Sequence, residues 1–224
     1  MGEKLTLTAE DGFKLSAYRA QPASTPRGAL VVVQEIFGVN QHIRNVTDRF
    51  AGEGYIALAP ALFDRVEPGF ETGYTQADID RGRTVRGKLG WDTMVMDLKA
   101  AVKDQQKTGR KVGVVGYCMG GSMAWLGATR IDGLSAAVGY YGGAVADHAN
   151  EQPKCPVMLH FGETDASIPK EHWDKIEAAH PNIPMFIYPG AGHGFSCDER
   201  GSFHEASHRQ ALQRTLDFFR QHLS

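Results

Sequence analysis

The chain holds 224 residues, 42% hydrophobic and 22% charged, an ordinary balance for a globular protein and enough for a single domain, residues 1–224, around one sizeable core. A formal net charge of -2, with no Lys/Arg cluster, gives no basis for nucleic-acid binding. No stretch approaches the roughly 18 apolar residues that span a bilayer, and the polar–apolar alternation of Met1–Ala9 lacks the unbroken apolar run of a signal peptide.

In chain order, two alternating runs, Lys4–Thr8 and Phe13–Arg19, flank Asp11-Gly12 and predict an N-terminal hairpin. Ala29–Val33 is a continuous, mostly β-branched run, as expected of a strand buried on both faces. A helix is predicted around Gln41–Ala51 and a strand at Tyr55–Ala59. Asp92–Lys107 spaces Met94, Val95, Leu98, Ala101 and Val102 onto one helical face. Next come a strand at Lys111–Gly116, a helix from about Met119 and strands at Ala136–Tyr140 and Val157–Phe161. A helix around Glu171–Ala179, a strand at Met185–Tyr188 and a helix from about Phe203 complete the chain. Alternating strands and helices predict an α/β fold, a mostly parallel sheet with helices on both faces. Ligands of such sheets bind beyond the carboxyl ends of the strands.

Gly116-Tyr117-Cys118-Met119-Gly120-Gly121 falls where a buried strand gives way to a helix. Gly-x-nucleophile-x-Gly at that junction is the nucleophile elbow, here with cysteine in place of serine. Flanking glycines let strand and helix nearly touch, and the helix N-terminus favours negative charge on a thiolate and an oxyanion. Cys155 and Cys197 have no comparable setting and read as bystanders. Three scattered cysteines form no disulfide framework, so a reducing cytoplasm is the expected compartment. Asn45-Val46-Thr47 matches a glycosylation acceptor, read as chance in a chain without a secretory route.

After the nucleophile, the triad order calls for an acid and then a histidine. Asp165 lies just past the Val157–Phe161 strand, and His193 sits in the glycine-rich loop after Met185–Tyr188. His193 would share the thiol proton and later activate water, while Asp165 would fix the imidazole tautomer. His160, inside an apolar run, reads as a satisfied core residue. His42, His148, His172, His180 and His222 have polar neighbours and read as surface.

With these residues in place the sequence resembles the dienelactone hydrolase family of α/β-hydrolases over nearly its whole length. The resemblance rests on Gln34-Glu35-Ile36-Phe37-Gly38, the segment 116–121, Ala137-Val138-Gly139-Tyr140-Tyr141-Gly142, Asp165 and Ala191-Gly192-His193. It implies an α/β-hydrolase fold and a Cys118–His193–Asp165 triad that opens a small lactone or ester through an acyl-enzyme, with no metal or organic cofactor. It also implies that Glu35 contacts the resting thiol until substrate displaces it, which would protect the cysteine from oxidation. Backbone N–H groups of Ile36 and Met119 would form the oxyanion hole. Phe37 and Tyr141 would line the pocket, and Arg81 or Arg83 would bind substrate. The family places another substrate-binding arginine four positions past its histidine; here that position is Cys197, and the nearest arginine is Arg200.

Two other classes compete. His204-Glu205-Ala206-Ser207-His208 reads H-E-x-x-H, the signature of a zinc hydrolase; a surface helix face is the plainer reading, since no third ligand is evident. A catalytically silent hydrolase fold used for binding or redox sensing is the other, and the joint presence of Cys118, Asp165, His193 and Glu35 argues against it. Oligomeric state is left open.

Overall fold

A computed structural model describes residues 2–224; Met1, the first residue of the N-terminal alternation, lies outside the described residues. Eight strands form one sheet: β1 (Glu3–Thr8), β2 (Lys14–Ala20), β3 (Gly28–Val33), β4 (Tyr55–Pro60), β5 (Val112–Tyr117), β6 (Leu134–Tyr140), β7 (Val157–Gly162) and β8 (Met185–Tyr188). Their spatial order is β1-β2-β4-β3-β5-β6-β7-β8. β1 and β2 pair antiparallel around a turn closed by Ala9 N–H donating to the Phe13 carbonyl, and β2 joins β4 antiparallel. From β4 to β8 the sheet is parallel throughout.

The helices are α1 (Gln41–Gly52), α2 (Gln76–Arg86), α3 (Trp91–Gln106), α4 (Met119–Arg130), α5 (Lys170–Ala179) and α6 (Glu205–Leu223). The β3-α1-β4 crossover steps one way along the sheet and β4-α3-β5 steps back. Right-handed crossovers therefore set α1 and α3 on opposite faces. α4 packs beside α3, while Phe219 of α6 meets Phe50 of α1 edge to face at 6.3 Å. Each face of the sheet is thus covered, so β3, β4 and β5 are buried along their whole length. Val31, Val32, Val33, Leu58, Val114 and Val115 expose no surface, and each such side chain contributes about 1.5–3 kcal/mol through burial.

α2 was not anticipated. Only Gly82 and Val85 along it are buried, so it carries no apolar stripe. A capping box between Thr75 and Asp78 starts it. Two histidines expected at the surface are inside. His42 is fully buried because it shares the inward face of α1 with Ile43, Val46 and Phe50. His180 ends α5 and bonds through Nε2 to the Ala149 carbonyl at 2.7 Å. His160 is buried with both ring nitrogens partnered, by Tyr188 and Thr215. No helix among the described residues is long and apolar enough to cross a membrane.

Candidate active site

Cys118 occupies the junction of β5 and α4 at φ 56° and ψ -118°, a backbone conformation that costs a non-glycine residue of order 1–3 kcal/mol. Its neighbours make the turn feasible. A Cβ on Gly116 would lie 1.8 Å from the Gly120 carbonyl oxygen, and one on Gly120 would lie 2.3 Å from that of Val33. The Cys118 N–H donates to the Tyr140 carbonyl at 3.0 Å, tying the elbow to β6.

Cys118 opens onto a cavity of about 450 Å³ whose walls include Ile36, Phe37, Ile79, Arg83, Asp165, Ser167, His193 and Arg200. These residues come from five separate segments, four of them loops or turns beyond the carboxyl ends of parallel strands and the fifth α2. His193 Nδ1–H donates to Asp165 Oδ2 at 2.6 Å. Asp165 is further held by the Ser167 N–H at 2.9 Å and hydroxyl at 2.6 Å. Burial alone would raise the Asp165 carboxyl, but the hydrogen bond and charge of His193, with the Ser167 bonds, outweigh it and hold it below its ordinary range. Burial alone would lower the His193 imidazole. The nearby Cys118 sulfur, with the hydrogen bond and charge of Asp165, overcomes that and raises it to about 10. An imidazole held by a carboxylate in a cavity that a cysteine also lines is the grouping of side chains that thiol activation calls for.

The Ile36 and Met119 N–H groups have no backbone partner among the described residues; Met119 begins α4, where N–H groups are free by construction. Glu35 is 1% exposed and accepts from Arg200 Nη1 at 3.2 Å through Oε1, while its Oε2 has no partner. It makes no hydrogen bond to Cys118: a half-buried guanidinium is a stronger partner for a carboxylate than a thiol is. Arg200 also lies over the rings of Phe37, at 5.5 Å, and Tyr74, at 5.9 Å.

Of the two candidate arginines on α2, Arg83 lines the cavity. Arg81 instead pairs with Glu67 and covers Phe70. Residues two apart on a helix point away from one another, whereas Ile79 and Arg83, four apart, share the cavity side. Tyr141 does not line the cavity either. It is fully buried at φ 38°, its ring 5.1 Å from that of His193, so it backs the imidazole. Cys197, read as a loop bystander, is fully buried beside Glu35 and Tyr74, and burial followed by the Glu35 charge pushes its thiol up to about 12.

The H-E-x-x-H segment is not assembled as a ligand pair. His204 precedes α6 and caps it, bonding Ser207, while His208 Nδ1 bonds the Ser196 hydroxyl. Sequence reasoning missed Ser167 and the Glu35–Arg200 pair. Asp165-x-Ser167 is a spacing at which a carboxylate meets the backbone and hydroxyl two residues on; residues 165 positions apart offer no such signal.

The sequence matches the Dienelactone hydrolase family over residues 15–223. It is 34% identical over 238 residues to a provisionally named carboxymethylenebutenolidase of Synechocystis, covering 98% of this chain and 96% of that protein. A similarly named protein of Yersinia pestis is 34% identical, covering 97% and 87%. Among solved structures, a provisionally named dienelactone hydrolase from Klebsiella pneumoniae superposes with a TM-score of 0.88 at 30% identity, covering 99% of this chain and 98% of that one. A dienelactone hydrolase-like promiscuous phosphotriesterase from metagenomic libraries shares the fold, with a TM-score of 0.78 at 19% identity and 100% and 99% covered. Built on an eight-stranded, mostly parallel α/β sheet, the chain belongs to the dienelactone hydrolase family of hydrolases.

Proposed function

We propose that the protein is a cysteine-dependent hydrolase of small lactones or esters that works through an acyl-thioester intermediate, as a single domain in a reducing cytoplasm. The observation that carries this reading is that Cys118 and His193 line one cavity, with His193 held on Asp165 at 2.6 Å.

In the first half-reaction the Cys118 thiolate attacks the substrate carbonyl carbon, and the carbonyl π pair moves onto oxygen. The N–H groups of Ile36 and Met119 receive that oxyanion. Collapse re-forms the carbonyl and breaks the C–O bond, and the imidazolium of His193 protonates the leaving alkoxide. In a lactone this alkoxide stays tethered to the acyl group. In the second half, neutral His193 takes a proton from water as the hydroxide adds to the thioester. The second tetrahedral intermediate expels the thiolate and releases the acid, and His193 is left as imidazolium beside Cys118. Asp165 fixes the imidazole tautomer in both halves, and Ser167 fixes Asp165.

Arg83 and Arg200 on the cavity wall favour a substrate bearing its own carboxylate. Glu35 then acts on the arginine, holding Arg200 against Phe37. Replacing Cys118 by Ala is expected to cut turnover of p-nitrophenyl acetate by about 10⁴-fold or more. Wild-type turnover in that variant would remove the nucleophile assignment.

A further inference from the structure

Behind the cavity wall lies a second group of chemistry-bearing side chains that the hydrolytic reaction does not use as a set. Donor atoms of Glu35, His42 and Cys197 fall within 4.8 Å of one another, and all three residues are buried. Two of these side chains, each exposing no more than 1%, carry an unpartnered polar atom: Glu35 Oε2 and His42 Nε2. The histidine is already oriented as a ligand would be. Its Nδ1 bonds Asp198 Oδ1 at 3.1 Å, and Asp198 is itself held by Arg49 at 3.1 Å. A carboxylate on one ring nitrogen leaves the lone pair on the other, the arrangement found behind most metal-bound histidines. A buried polar atom without a partner costs of order 1–3 kcal/mol, so two in neighbouring buried side chains call for an occupant.

We propose that Glu35, His42 and Cys197 form a binding site for a divalent transition-metal ion of the zinc type. Carboxylate, imidazole and thiolate together are a zinc donor set, and three protein ligands leave a fourth position open. Bond lengths of about 2.0–2.3 Å bring donors to within roughly 3.5 Å of each other, so the side chains close by about an ångström on binding. The ion displaces the thiol proton of Cys197, which leaves as H⁺, and the two anionic ligands then balance its charge. Its role follows from what it joins: the Glu35–Phe37 loop, α1 and the segment from Cys197 to Arg200. Two of these shape the cavity, so the ion acts as a staple that fixes Glu35 and, through it, Arg200.

The site does not depend on the Cys118 chemistry proposed above, and a variant without that thiol tests it separately. Co²⁺ titrated into the reduced Cys118→Ala protein is expected to bind once per chain and give a thiolate-to-cobalt charge-transfer band, displaced by Zn²⁺. Cys197→Ser, with Cys118 intact, should lose the band. Asp198→Asn, which leaves all three ligands present, should keep it with affinity weakened about 10–100-fold. Thermal unfolding with and without Zn²⁺ covers the event that Cys197→Ser fails to fold, since the zinc-dependent rise in Tm should persist in Cys118→Ala and shrink in Asp198→Asn. Absence of binding to Cys118→Ala would overturn the proposal. So would a band that survives Cys197→Ser and vanishes in Cys118→Ala, which would put the ion on the nucleophile.

Discussion

The charge on His193 is favoured by Asp165, which accepts from Nδ1–H, and by the nearby Cys118 sulfur, and this has a consequence for stability. Its folded-state pKa of about 10 exceeds the ordinary histidine value of 6.5. The charged arrangement therefore stabilises the native state fully below about pH 6.5, and that contribution is lost as pH rises through about 10. The stability gap between wild type and His193→Gln, measured by denaturant unfolding, should be widest near pH 6 and narrow steadily toward pH 10; a gap constant over that range would refute the pairing. Asp165→Asn should lower kcat by roughly 10²–10⁴-fold, because the imidazole loses its tautomer control. At Arg200 two effects separate. Arg200→Ala strands the buried Glu35 carboxylate and should cost about 3–5 kcal/mol of stability, much of it recovered by adding Glu35→Gln. In both variants KM should rise for a carboxylate-bearing lactone far more than for a neutral ester, and an equal rise for both substrates would show that Arg200 does not read the anion.

Among the elements, the elbow and α2 carry the most local constraint. A Cβ at Gly82 of α2 would lie 2.4 Å from the Ile36 carbonyl oxygen, a backbone atom with no freedom to rotate away. Gly82→Ala should therefore cost about 1–3 kcal/mol and lower kcat by shifting the Ile36 N–H. Gly52→Ala, where nothing lies within 4 Å, should do neither; equal behaviour of the two in unfolding and steady-state assays would disprove the contact argument. This is also where legibility in the sequence ends. Continuous β-branched runs and apolar helical stripes made β3 to β8, α1, α3 and α4 readable, because burial writes itself into residue type. α2 buries too little to leave a stripe, and only its Thr75–Asp78 cap marked it. His42 was misread because its polar neighbours in sequence face away from it; the i, i+1, i+4 spacing to Ile43 and Val46 places it inside.

At the scale of the whole molecule, a parallel sheet delivers loops from distant parts of the chain to one edge, and the loops that chain order singled out, those of Cys118, Asp165 and His193, line one cavity there. What chain order could not foretell is which long-range partner each side chain takes. Glu35 and Arg200, and Asp198 and His42, are pairs set by three-dimensional packing with no local pattern to announce them. The same packing makes Glu35 a link between the two: it holds Arg200 of the cavity wall and belongs to the buried group behind that wall. In the proposed reaction the acyl group passes through the Cys118 sulfur, and trapping that acyl-enzyme is the decisive measurement. Rapid quench of the protein with an activated ester, followed by intact-mass and peptide mass spectrometry, should find one acyl group per chain, on Cys118, cleaved by neutral hydroxylamine and absent from Cys118→Ala. An adduct mapped to Ser167 or Cys197, or turnover in Cys118→Ala with no adduct on any residue, would contradict the account.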